Sequence, residues 1–350
     1  MDIIRKPNGF KLTKIKKKTR SGRITQKTLK IPKFIYLNKK TKKAIKDQKQ
    51  LDRIKSLRIP PGYMNVEIAK GVRSKVQAIG EDDKGRKQYI YSKSYVKAQE
   101  KVKFNDLIVF GKNIEKIRSN VKKQLSKGNF EINKDSLIAI VLYLIDNCNF
   151  RVGCEKYKKL YNSYGVTTLN KKHLQFQKTK LTIEFIGKKG VLNKAVVTNK
   201  KMCSMLRVLC GKNGDEYLFQ YDKHNNLHVT EKHVNQFLKK YDPKIKVKMF
   251  RTWNANIILL REILNYPTPE TKTEADRNLK QIIESAAEKL HHTKTVSKSS
   301  YMNNKIIDLY KDDLEKFKGI FKDIKQKYNG KIPSVDKVLI ELFIIFDKKK

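Results

Sequence analysis

The chain has 350 residues, room for about two domains, and carries 80 Lys and Arg against 34 Asp and Glu for a formal net charge of +46. So large a charge repels itself in a compact state unless something anionic neutralises it, which makes nucleic acid the first partner to consider. The longest wholly apolar run, Leu137 to Ile145, is nine residues, against the ~20 that a membrane helix needs, and no secretory leader is visible.

These features lead us to expect no membrane partner and an intracellular protein, with the nucleus also open. Cys148, Cys154, Cys203 and Cys210 follow neither a zinc nor a redox spacing and are read as reduced.

Residues 1 to 30 hold eleven Lys and Arg and one Asp. We expect residues 1–33 to be a disordered basic arm that touches nucleic acid without sequence preference; a solubilising tail or a nuclear address are the plainer alternatives. Folded character begins near Phe34, and Pro60-Pro61-Gly62 marks a turn before an extended stretch from Asn65 to Ile68. Val76 to Ile79 and Gln88 to Tyr91, joined by a polar loop with Gly80 and Gly85, predict a β-hairpin.

From about Lys101 the period changes, and Leu107, Phe110, Ile114, Ile117 and Val121 follow helical spacing. Asn133 or Asp135 caps a buried helix over Leu137 to Asn147. Leu181 to Val197 predicts a small β interruption with Gly187 and Gly190 at its turn, and further helices are expected over Thr230 to Phe237, Asn254 to Leu264 and Asn278 to Leu290. We place a domain boundary and hinge at 98 to 103. The fold class is α+β, with a β-rich domain over 34–99 and a larger, mainly α-helical domain with a small β-sheet over 100–350.

The loop at Gly80 and Gly85 lacks the Gly-Lys-Ser/Thr ending of a phosphate-cradling loop, and its acids would repel a triphosphate. Lys84, Arg86 and Gln88 beside Tyr89 and Tyr91 instead combine phosphate-binding cations with side chains that reach base edges. His224, His228 and His233 lack the companions of a tetrahedral zinc site, and no carboxylate cluster offers the oxygen ligands of Mg²⁺. We therefore expect no metal and no cofactor. Phosphoryl chemistry would then need protein cations, and Arg151, Lys188, Arg251 and His292 stand in unusual local contexts, with Tyr301 nine residues after His292. Taken singly, each has a plain explanation: an ion pair, a turn lysine, a capping histidine, a surface tyrosine.

Several motifs in register resemble type IB DNA topoisomerases of the small form found in poxviruses, other large DNA viruses and some bacteria. They are Lys84-Gly85-Arg86-Lys87-Gln88-Tyr89, Arg151-Val152-Gly153, Gly165-Val166-Thr167-Thr168-Leu169, Phe185-Ile186-Gly187-Lys188, Phe250-Arg251-Thr252-Trp253, and His292-Thr293 through Ser300-Tyr301. The match runs from residue 35 to about 310. His291 stands where the family usually has Gly, Lys294 where Pro is common, and Cys154 where polar residues are usual.

The resemblance implies a monomer that clamps double-stranded DNA, with Arg86, Gln88, Tyr89, Tyr91 and Tyr157 touching it. Tyr301 would attack a phosphodiester to give a 3′-phosphotyrosyl bond, Arg151, Arg251 and His292 would stabilise the phosphorane oxygens, and Lys188 would protonate the leaving 5′-oxygen. Supercoils would relax without ATP or metal. The proton of Tyr301 could pass to Arg151 or to water. A tyrosine recombinase shares this chemistry but normally carries its second arginine in a His-x-x-Arg element, and a non-enzymatic DNA-packaging protein would explain the charge but not the motifs.

Overall fold

The computed structural model describes residues 1–18, 24–128, 130–212, 217–267, 269–291, 293–331 and 333–348. The chain divides into two compact units, Met1–Val102 and Lys103–Lys350. The architecture is α+β, with a β-rich N-terminal region and a larger helical region.

In the first unit, β1 (Ile3–Lys18), β2 (Ile24–Asn38), β3 (Met64–Ile68), β4 (Val76–Glu81) and β5 (Lys87–Tyr91) form an antiparallel sheet in the order β2-β1-β3-β4-β5. Helix α1 (Gln48–Ser56), capped by the Asp47 carboxylate on the Lys49 amide, buries Ile54 against Ile3, Val66, Ile68 and Ala78.

Among the described residues this corrects the expectation of a disordered arm over 1–33, of which 19–23 lie outside the described residues. Ile3 is 1% exposed in that small core, and buried Arg5 donates to the carbonyls of Pro60, Pro61 and Tyr63. The arginine counted as part of a free basic tail instead fastens the Pro60-Pro61-Gly62 turn to β1.

Helix α2 (Lys93–Ser126) runs unbroken through the division between the units. The hinge expected at 98–103 is therefore helical. Its first turns lack an apolar stripe, so periodicity alone starts the helix too late.

The second unit is built around α3 (Lys134–Cys148), an apolar helix buried on nearly every face and capped by Asn133 accepting from the Ser136 amide at 2.9 Å. After α4 (Glu155–Tyr161) comes a three-stranded sheet of β6 (Leu174–Phe176), β7 (Leu181–Ile186) and β8 (Leu192–Val197). Next are α5 (Lys200–Lys212), the small pair β9 (Gln220–Asp222) and β10 (Leu227–His228), and α6 (Glu231–Leu238).

Helix α7 (Lys248–Asn265) packs against α3, and then against α8 (Lys272–Lys289). The chain ends with α9 (Lys294–Ser300), α10 (Asn304–Asp312), α11 (Leu314–Lys327) and α12 (Val335–Lys348). Arg118 bridges Asp146 and Asp336, and the Trp253 indole donates to Asp336 at 2.7 Å, so one carboxylate ties α2, α7 and α12 together. Among the described residues no helix is long and apolar enough to cross a membrane.

Candidate active site

Tyr301 ends the short helix α9, which Thr293 caps, and its amide donates to the Ser297 carbonyl at 3.1 Å. Two arginines from distant parts of the chain meet it. Nη1 of Arg151 donates to the Tyr301 hydroxyl at 3.0 Å, and the guanidinium carbons of Arg151 and Arg251 lie 5.8 and 5.7 Å from the tyrosine ring centre.

Arg151 is aimed by its neighbours. Asn149 ends α3 with φ +55°, turning the chain so that Phe150 enters the core and Arg151 leaves it. The Arg151 carbonyl then accepts from the Val166 amide at 2.9 Å, and Val152 accepts from Thr167. This crossing needs glycine on both strands of chain: a Cβ on Gly165 would stand 2.5 Å from Gly153, which itself holds φ +100°. The spacing of the Arg151-Val152-Gly153 and Gly165-Val166-Thr167 motifs is the signature of that contact.

Arg251 is 5% exposed and donates to the carbonyls of Asn149 and Leu290. Burial and then the neighbouring Arg151 charge pull its guanidinium down to about 9, opposed by Tyr301, with which it also shares a hydrogen bond. It stays a cation at neutral pH. Asn254 donates to the Asp146 carbonyl and to the Asn149 side chain, fixing the turn whose carbonyl receives Arg251.

Two further contacts escaped the sequence reading. Asn256, fully buried, donates to the Tyr301 carbonyl at 2.9 Å and to Thr252, while its side-chain oxygen accepts from the Asn303 amide at 2.8 Å. One amide thus grips the chain on both sides of Met302. Lys103 donates to the Ser300 carbonyl and holds its ammonium 5.9 Å from the Tyr301 ring centre. The only sequence hint of Asn256 is its place one helical turn after Thr252; for Lys103, 198 positions from Tyr301, there was none.

Among the described residues, Lys188 makes no hydrogen bond or ring contact with the tyrosine. Lys188 stands exposed in the turn between β7 and β8, where Lys189 and Gly190 have φ +64° and +75°. His292 lies outside the described residues. Its neighbour His291 adopts φ +52° with its ring 5.6 Å from Phe150; burial, and then the Arg251 charge, hold its imidazole below the usual histidine range.

In the first unit, Tyr89 and Tyr91 alternate outward along β5, 48% and 43% exposed with ring centres 6.3 Å apart. Asp82 gathers the loop before them. It accepts from the Lys84 and Arg86 amides, from the Arg86 guanidinium and from Gln88, and these bonds, Arg86 first, draw its carboxyl down to about 2. The acid read as a repellent is the organiser of the loop. Tyr157, half exposed on α4, holds its ring 5.8 Å from that of Tyr161 and tilted by 31°. Among the described residues no three His, Cys, Asp or Glu side chains are grouped to hold a metal ion.

The family model described as the catalytic core of eukaryotic DNA topoisomerase I matches residues 92–328, and that of the N-terminal domain of bacterial DNA topoisomerase IB matches residues 33–82. The chain belongs to the type IB DNA topoisomerase family. DNA topoisomerase 1B of Acanthamoeba polyphaga mimivirus is 34% identical over 280 residues, 77% of this chain and 82% of that protein. DNA topoisomerase 1B of vaccinia virus (strain Copenhagen) is 27% identical over 246 residues, 67% and 72% of the two chains. The XerH site-specific recombinase bound to palindromic difH substrate aligns with a TM-score of 0.37 and 13% identity over 57% of this chain and 52% of that one, too distant to bear on either fold or activity. Membership of the topoisomerase family supports DNA binding and topoisomerase activity in general.

Proposed function

We propose that this chain relaxes supercoiled DNA as a monomer, through a 3′-phosphotyrosyl intermediate formed by Tyr301, without ATP or metal. The observation that carries this reading is the Tyr301 hydroxyl hydrogen-bonded to Arg151 and Arg251. A phosphodiester entering there meets the nucleophile and two cations together. The tyrosine oxygen gives up its proton to water and forms the new bond to phosphorus as the bond to the 5′-oxygen breaks, and Lys188 gives the leaving oxygen its proton.

Arg151, Arg251 and His292 stabilise the charge on the nonbridging oxygens. A preorganised donor of this kind is worth about 2.7–4 kcal/mol in the transition state, and the planar guanidinium fork suits phosphate better than an ammonium does. A proton from the lysine contributes about 10²–10⁴-fold. One ester replaces another, so religation needs no external energy, and the free 5′ end swivels meanwhile. Lys84, Arg86, Gln88, Tyr89 and Tyr91 from the first unit and Tyr157 from the second grip the duplex, the two units closing on it as a clamp.

Plasmid relaxation in EDTA without nucleotide tests the reading. Relaxation by the parent protein, with a trapped covalent adduct that Tyr301→Phe abolishes while still binding DNA, is the expected result. A strict need for Mg²⁺, or an adduct surviving in Tyr301→Phe, overturns it.

A further inference from the structure

The ribbon formed by β1 and β2 has no part in that chemistry. Only Ile3 and Ile4 of β1 pair with β3, whereas β1 and β2 stay paired with each other as far as Lys18 and Ile24. The register shifts between Pro7 and Phe10, where Gly9 takes φ +74°, and nine successive pairs follow, from Phe10 with Pro32 to Lys18 with Ile24. Such a bulge bends and twists a ribbon away from its sheet. At about 3.3 Å per residue the nine pairs span ~30 Å, the length of about nine base pairs of duplex.

Seven lysines from Lys11 to Lys30 lie on these paired strands, and no Asp or Glu occurs between Ile3 and Lys46. Lysines on an unpaired edge do discourage the addition of another strand, but mixed charges would do so equally well. A long run of one sign calls for an anionic partner. Phe10 and Leu12, 66% and 65% exposed, share one face of β1 while Lys11 takes the other. The family matches begin at residues 33 and 92, so the paired ribbon is mostly additional to them.

We infer that this ribbon is a second DNA-binding element, which lies along duplex outside the segment held for cleavage. A two-stranded β-ribbon fits the major groove, where apolar side chains such as Phe10 and Leu12 meet thymine methyls. The lysines reach the flanking phosphates and release their counterions. The inference rests on DNA being the substrate, but binding is measurable without any chemistry.

The test uses the full chain carrying Lys11→Gln, Lys14→Gln, Lys16→Gln, Lys27→Gln and Lys30→Gln. A control of equal charge replaces the five exposed lysines of α11 with glutamine. On a duplex of about 40 base pairs, the log–log salt slope of the ribbon variant should be shallower by about 3–4.5, at ~0.9 per lost phosphate contact, with affinity at least about 10³-fold weaker near 50 mM salt. The control should stay within about threefold of the parent on that duplex. Single-turnover cleavage at saturating protein should match the parent.

Unchanged slopes in the ribbon variant, or an equal loss in the control, overturn the inference. So does lost binding to phosphatidylserine vesicles with DNA binding intact, which would assign the ribbon to a membrane surface. Slopes that differ while neither protein cleaves DNA would leave the ribbon standing and sink the catalytic reading.

Discussion

The surroundings of Arg251 and of Lys188 differ in almost every physical respect, although both are offered as sources of positive charge at one phosphate. Arg251 sits on a long helix packed between other helices, 5% exposed, with two backbone carbonyls and the tyrosine as partners. Lys188 stands exposed on a hairpin turn and has no hydrogen bond or ion pair among the described residues. An arginine can be held ready because its five donors satisfy carbonyls and a ligand at once. A proton donor needs only one well-timed contact, and a bare turn can supply it when substrate arrives. The comparison teaches that one proposed transition-state stabiliser, Arg251, is built into the core, while the proposed acid stands at the surface.

That contrast is broken most directly at Lys188. Lys188→Ala should slow cleavage of ordinary DNA by about 10²–10⁴-fold, with no change in thermal stability. On a strand whose 5′-bridging oxygen is replaced by sulfur it should run close to the parent, because a thiolate leaves without a proton. Equal impairment on both substrates would make Lys188 a phosphate ligand, and rescue of Lys189→Ala alone would move the role one residue along.

Arg251→Ala should behave in the opposite way. Loss of its donors predicts a fall of about 10²–10³-fold in the cleavage rate on both substrates. Leaving the Asn149 and Leu290 carbonyls unpaired should also lower stability by about 1–3 kcal/mol, read as a shift in the denaturant midpoint. A variant slow in chemistry but fully stable would show that the buried bonds do not hold the arginine in place.

Asn256 sharpens the same side of the comparison at a smaller scale. It touches no proposed reacting atom and acts through the backbone around Tyr301. Asn256→Ala should slow single-turnover cleavage by about 10-fold, since displacement of a reacting group by an ångström can cost as much as 10²-fold. DNA affinity should hold. Equal losses in affinity and rate would mark a general packing defect instead.

The sequence makes these regions legible to different degrees. Core helices such as α3 and the strands β4, β5, β7 and β8 announce themselves by apolar runs and alternation, because burial demands them. The ribbon does not, since the lysine-rich stretch from Lys11 to Lys18 shows no apolar alternation, and cross-strand backbone bonds leave little compositional trace. The meeting of Arg151, Arg251 and Tyr301 follows from no local pattern, the first and last being 150 positions apart. Motif register alone joined them. Asn256 was passed over, and Asp82 read only as a repellent, because a buried amide and a loop acid look ordinary until their partners are known.

The adjacent histidines provide the finest test. His291 occupies φ +52°, a left-handed conformation that costs a non-glycine residue roughly 1–2 kcal/mol, and this explains physically why the family usually has glycine there. Its imidazole, held below the usual range by burial and by Arg251, is uncharged at pH 7, so removing it takes no cation from the pocket. His291→Gly relieves the backbone and gives up the ring contact with Phe150, and the extra freedom of glycine in the unfolded chain further offsets the relief. Stability should therefore stay within about 1 kcal/mol of the parent, and cleavage within about threefold. His292→Ala, by contrast, should slow cleavage by about 10²-fold if that side chain is a phosphate donor. The reverse pattern, with His291→Gly crippled and His292→Ala nearly normal, would transfer the donor's role to His291 and make its strained backbone part of the active site.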